Sequence, residues 1–181
     1  MTTRNKPVKF IALFTVIAGF IMIIAGGVTW GLVQSQLKDE RITVAAITPE
    51  NPGRLAGKNV AGPFTAYAQA NAIERHALEG AQGKTYAQLG ADLTALKDKL
   101  KASGASDADI ADNAEVKAAT ATRTSTMNGS FLRASLFTSV VAFGVAALVI
   151  GLGVLFILLG IALQKVSNAA VTVPASVPEK E

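Results

Sequence analysis

The chain of 181 residues has no cysteine, one histidine and one tryptophan, and each scarcity removes a class of chemistry. Without cysteine there is no disulfide, no thiolate zinc site and no Cys nucleophile. With His76 alone, a single chain cannot supply the two histidines and a carboxylate of a non-haem iron site. There is no Gly-rich phosphate loop, no Gly-x-Ser-x-Gly elbow and no pair of carboxylates set in an apolar pattern. The net charge of +4 is scattered and makes no nucleic-acid patch. We therefore expect no catalytic residue, no cofactor and no bound metal. The most telling absence is of charge itself. Phe10 to Val33 and Ala134 to Leu163 contain no Asp, Glu, Lys, Arg or His.

What is present follows from those two runs. At about 1.5 Å per residue, 24 and 30 residues reach roughly 36 and 45 Å, enough to cross a hydrocarbon core of about 30 Å. The sequence thus predicts an all-α membrane protein in which two transmembrane helices form a hairpin around a mainly helical extracytoplasmic domain. The expected order is a cytoplasmic flank over 1–9, a first span over 10–33, the outer domain over 34–130, a second span over 131–163 and a flexible cytoplasmic tail over 164–181. Arg4, Lys6 and Lys9 precede the first span with no acidic residue, which keeps the N-terminus inside. Lys165 behind the second span agrees, and the long segment between is translocated largely regardless of its charge. A cleavable signal peptide is the competing reading of the N-terminus. Its apolar core would be shorter, about 7 to 15 residues, and the nearest small-residue stretch, Val44-Ala45-Ala46, lies well past the run. Trp30 near the outer end suits an interfacial ring.

Between the spans, Asp39 to Pro63 reads as a loop or short hairpin punctuated by proline and glycine. Pro63 opens a helix that Gly80 stops. Thr85-x-x-Gln88 has capping-box form and is followed by Leu89, Leu93, Leu96 and Leu100, a stripe better suited to burial against a neighbouring helix than to a partner zipper. Ser106-x-x-Asp109 opens a further helix through Ile110, Ala114 and Val116 toward Thr120. His76, beside Glu74, Arg75 and Glu79, reads as a surface or packed histidine. Asp107, Asp109 and Asp112 resemble a calcium loop only briefly, because the turn glycine is missing and Ala118 stands at the twelfth position. Asn128-Gly129-Ser130 matches a glycosylation sequon, and Ser130 can equally cap the second span.

Neither span carries the ionisable group that usually marks an ion or proton path. Both carry small residues in register, which let helix backbones approach closely. The first has Ala18 and Ala25, Gly19 and Gly26, and Gly27-x-x-x-Gly31. The second has Gly144, Ala147 and Gly151 on one face and Ala146, Gly153 and Gly160 on the nearly opposite one. We expect Gly19, Gly26, Gly27, Gly31, Gly144, Ala147, Gly151, Gly153 and Gly160 to make helix-helix contacts, one face of the second span meeting the first and the other meeting a second copy or another membrane protein. The expected partners are therefore the bilayer, the chain itself and other integral membrane proteins.

The blocks Pro63-Phe64-Thr65-Ala66-Tyr67-Ala68-Gln69-Ala70, Glu74-Arg75-His76-Ala77-Leu78-Glu79, Gly83-Lys84-Thr85-Tyr86-Ala87 and the run from Asn128 to Ala147 resemble a family of small actinobacterial two-span membrane proteins. Its members commonly carry the label of an aromatic-ring-opening dioxygenase small subunit. The resemblance covers both spans and the first outer helix, and fits Leu89 to Thr126 less clearly. It implies a high-GC Gram-positive envelope with the outer domain beyond the plasma membrane. The label implies iron-dependent oxygenase chemistry, which one histidine and no cysteine do not supply, and we read it as misassigned. The expected function is that of a non-enzymatic accessory, scaffolding or homo-oligomeric envelope component. The alternative is a catalytic or ligand-binding subunit completed by another chain.

Overall fold

The computed structural model describes residues 6–168, and within them regular structure is helical throughout: α1 Lys6–Asp39, α2 Pro63–Gly80, α3 Tyr86–Ala102, α4 Asp107–Asp112 and α5 Ala114–Asn168. Two of these helices are long and apolar enough to cross a membrane. α1 contains an 18-residue window of mean hydropathy 2.5, and α5 one of 2.9. Contacts divide the described chain into two compact units, 6–31 with 145–168, and 32–144. The expected flank 1–9 enters α1 at Lys6, with residues 1–5 outside the described chain. The expected tail contributes Gln164 to Asn168 to α5, and the rest of it lies outside as well.

In the first unit the two apolar helices run antiparallel in direct contact. In the second, the end of α1 leads into a loop tied by a single antiparallel bridge between Thr43 and Asn59. Two side-chain amides anchor this loop. Gln34 Nε2 donates to the Ala61 carbonyl at 3.0 Å, and the Ala45 amide donates to Gln69 Oε1 at 2.7 Å. Val44 and Val60 fill the space beneath.

α2 begins where its sequence signals it. Pro63 needs no amide hydrogen bond at that position, and the Thr65 hydroxyl accepts the orphan amides of Ala61 and Gly62 at 3.0 and 3.1 Å. The helix then lies antiparallel to the first part of α5. Tyr67 meets Phe137 edge-on with ring centroids 5.8 Å apart, Glu74 pairs with Arg133 at 3.0 Å, and Gly129 leaves room for Ala77, whose Cβ would sit 3.1 Å from a Cβ at that glycine. Two residues past the end of α2 the chain reverses at Gln82, at φ 53, whose amide reaches the Glu79 carbonyl at 3.1 Å while that of Gly83 reaches Leu78 at 2.7 Å.

α3 starts with reciprocal capping: the Thr85 amide donates to Gln88 Oε1 at 2.8 Å, and the Gln88 amide donates to Thr85 Oγ1 at 3.4 Å. It ends on Gly104 at φ 86, with the Ala105 amide on the Leu100 carbonyl and that of Gly104 on Lys101, the paired bonds of a left-handed helix stop. The leucine stripe turns inward. Leu93 packs with Ile110 of α4 and Val116 of α5, and Leu96 and Leu100 press on the same cluster. Arg123 lies 4.0 Å over the Tyr86 ring, and Gly90 gives its guanidinium space.

The expected helix from Ser106 is broken in two. Ser106 and Asp109 cap α4 reciprocally, and the Ser106 hydroxyl and amide hold the Asp109 carboxyl below the ordinary aspartate range. Asn113 then interrupts the helix at ψ 128, and its Oδ1 accepts the Glu115 and Val116 amides at 2.9 and 3.2 Å, opening α5. From there α5 continues without a break through the expected boundary at 130/131. Ser130 caps nothing, because its hydroxyl donates to the Thr126 carbonyl one turn back.

Candidate functional site

The small residues of the two apolar helices divide by face. Ala12, Gly19 and Gly26 on α1 recur every seven residues, as do Ala146, Gly153 and Gly160 on α5. A seven-residue period lags the straight helix by about 20° per repeat, so a seam that keeps it winds the pair left-handed. These six residues are in contact. A Cβ on Gly19 would stand 2.5 Å from the Gly153 carbonyl oxygen and 2.7 Å from Ile157 Cγ1, and one on Gly153 would stand 2.6 Å from the Gly19 oxygen and 2.8 Å from Ile23 Cγ1. Gly26 faces Ala146 and Ile150, while Gly160 faces Ala12 and Val16, at 2.5 to 2.9 Å by the same measure. Ala12 is 0% exposed and Ala146 1%. At four positions no side chain of any size fits without moving backbone, which is the close approach that replaces hydrophobic drive where the surroundings are as apolar as the helix.

Gly27, Gly31, Gly144 and Gly151 have nothing within 4 Å of where a Cβ would be, and Ala147 is exposed. Of the nine positions expected at helix-helix contacts, Gly19, Gly26, Gly153 and Gly160 meet the opposite helix, whereas among the described residues nothing lies beside Gly27, Gly31, Gly144 or Gly151 and Ala147 is exposed. Among the two opposed faces of α5 it is the Gly153 face that meets α1. Ala12 joins this seam as a further small residue. Its spacing of seven from Gly19 matches the three-member series on α5 and is visible in the sequence.

The polar candidates are dispersed. His76 is exposed on α2 beside a cleft shared with Thr122, Ser125 and Thr126 of α5. Asp107 reaches Lys101 at 3.3 Å, Asp109 bonds Ser106 and Asp112 reaches Lys117 at 2.7 Å, so the three carboxylates do not converge. No group of three or more His, Asp or Glu side chains suited to a metal occurs among the described residues. The polar contacts that organise the second unit, Glu74 with Arg133 and Arg123 over Tyr86, escaped the sequence because neither pair shares a helix. Comparison with protein-family models, with curated proteins and with solved structures returns no match.

Proposed function

We propose that the chain is a two-span protein of an actinobacterial plasma membrane, with both termini cytoplasmic and the 34–130 segment outside, and that it serves without catalysis as an accessory or scaffolding component that assembles with itself or another membrane protein. The observation that carries this reading is the division of the small residues. One glycine face closes the α1–α5 pair, leaving Gly27, Gly31, Gly144, Ala147 and Gly151 uncovered on helices apolar enough to sit in lipid. Gly27-x-x-x-Gly31 has the spacing that lets a second helix approach closely. The resemblance to small actinobacterial membrane proteins supports the envelope setting, and the basic flank supports the orientation.

Paired substitutions test it. Gly153→Leu should loosen the α1–α5 pair, because the new side chain meets the Gly19 backbone. Gly151→Leu should leave the pair intact and reduce the size of the assembly. Individual helix-helix terms in membranes are only about 1 to 2 kcal/mol, so one leucine suffices to shift either equilibrium. Native gels and crosslinking between α1 and α5 separate the two effects. An unchanged assembly in Gly151→Leu would remove the scaffolding role from this face.

A further inference from the structure

The start of α2 and the 42–60 loop enclose a groove of about 330 Å³ with apolar walls from Val44, Ile47, Leu55, Phe64 and Ala68. That size falls in the range of ligand-binding clefts, about 300 to 1,000 Å³. Its polar groups are few. Arg54 stands exposed at the groove and has no ion pair among the described residues, and Asn71 lies further along.

Two contacts fix the groove's level against the charge-free runs. Gln34, the residue after the first run, holds Ala61 at the foot of α2. Tyr67 packs on Phe137, three residues inside the second run and so about 4.5 Å along it. The groove therefore opens where both runs end, and Arg133, which pairs with Glu74 one helical turn farther from the second run, marks the polar side. Phe64 is 81% exposed here. In water such a ring gains nothing from its position, whereas at the headgroup and acyl boundary, the depth reached by interfacial helices, it is buried in lipid.

We propose that this groove is a binding site for an anionic phospholipid of the outer leaflet, one acyl chain lying along Val44, Ile47, Phe64 and Ala68 and the phosphate meeting Arg54. A lipid suits the site better than a peptide. Among the groove-lining side chains Asn71 and Tyr67 add the only polar functions beyond Arg54, whereas the apolar walls continue to the edge of the spans. The assignment rests on the two-span reading above, and the test separates the two.

The full-length chain is reconstituted into mixed phosphatidylcholine and phosphatidylglycerol vesicles containing phosphatidylglycerol with a diazirine midway along one acyl chain, and a matched phosphatidylcholine probe serves in parallel. After irradiation, labelled peptides are mapped by mass spectrometry. Label is expected on the apolar stretches of α1 and α5, and also on residues 44–56 and 64–71. Ala68→Leu, which fills the groove, should lower the groove label to the level of α3 and leave the spans labelled. Arg54→Gln, at an exposed position that folding tolerates, should reduce groove labelling by the phosphatidylglycerol probe about fivefold and by the phosphatidylcholine probe little. Labelled spans with an unlabelled groove, as a second copy seated there would give, would overturn the lipid site and leave the two-span reading standing. Unlabelled spans would overturn both. Groove label undiminished in Ala68→Leu, or equal loss of both probes in Arg54→Gln, would also overturn it.

Discussion

Gln82 shows how a single residue stops a helix at a cost the sequence could have avoided. Its φ of 53 lies in the left-handed region, where a side chain crowds the backbone and glycine does not. Gly80, the apparent stop, is the last residue of α2, and the reversal is made two positions later. Gln82→Gly should therefore stabilise the end of α2, by about 0.5 to 1 kcal/mol once the greater freedom of glycine in the unfolded chain is set against the relieved crowding. Slower hydrogen exchange of the Ala81 to Gly83 amides would register the gain, and faster exchange would show that the glutamine side chain contributes something the backbone geometry does not reveal. The spans pose a different problem at this scale. Helical periodicity puts Gly151 and Gly153 on nearly opposite faces without saying which one meets α1. The choice depends on the register of a second helix. Only the matched series Ala12, Gly19, Gly26 and Ala146, Gly153, Gly160 encodes it, since two steps of seven on each helix align small residues along the seam.

At the scale of the element, starts were easier to read than ends. Thr85 with Gln88, and Ser106 with Asp109, satisfy orphan amides through bonds three residues apart, so their chemistry is visible in a short window. The opening of α5 at Asn113 is equally local in its bonds but was hidden by the alanine-rich, polar sequence around it. The continuity of α5 through Asn128-Gly129-Ser130 was hidden for the opposite reason. Those residues favour a break locally, while Gly129 gains contact with Ala77 of α2, some fifty positions away. The leucine stripe of α3 was legible as an apolar face, and its partners proved to be α4 and the first turns of α5. Leu93 is 8% exposed at the centre of that cluster. Leu93→Ala should cost about 2 to 5 kcal/mol, the range for removing a core leucine. Because α4 has only six residues, this loss should first appear as increased exchange and proteolysis between residues 103 and 119. Leu89→Ala, outside the cluster, should cost clearly less. Equal effects of the two substitutions would mean that the stripe is held from outside the chain.

For the molecule as a whole, orientation is the property that most constrains function, and it depends on charge rather than on packing. In the proposed topology Arg4, Lys6 and Lys9, ahead of the first charge-free run, resist transfer, whereas the cations of the 34–130 segment lie in a loop long enough to be carried across. Two crossings, as proposed, would return the C-terminal segment to the starting side. The absence of cysteine makes the orientation directly measurable, because each introduced thiol is the chain's only one. Ser106→Cys, at the exposed cap of α4, should react with a membrane-impermeant maleimide in intact cells. Ser176→Cys should react only after lysis. The reverse pattern would invert the protein and overturn the outer-leaflet assignment of the α2 groove. Reaction of both in intact cells would require a single crossing, which would be incompatible with α1 and α5 both spanning the bilayer along the Gly19–Gly153 seam.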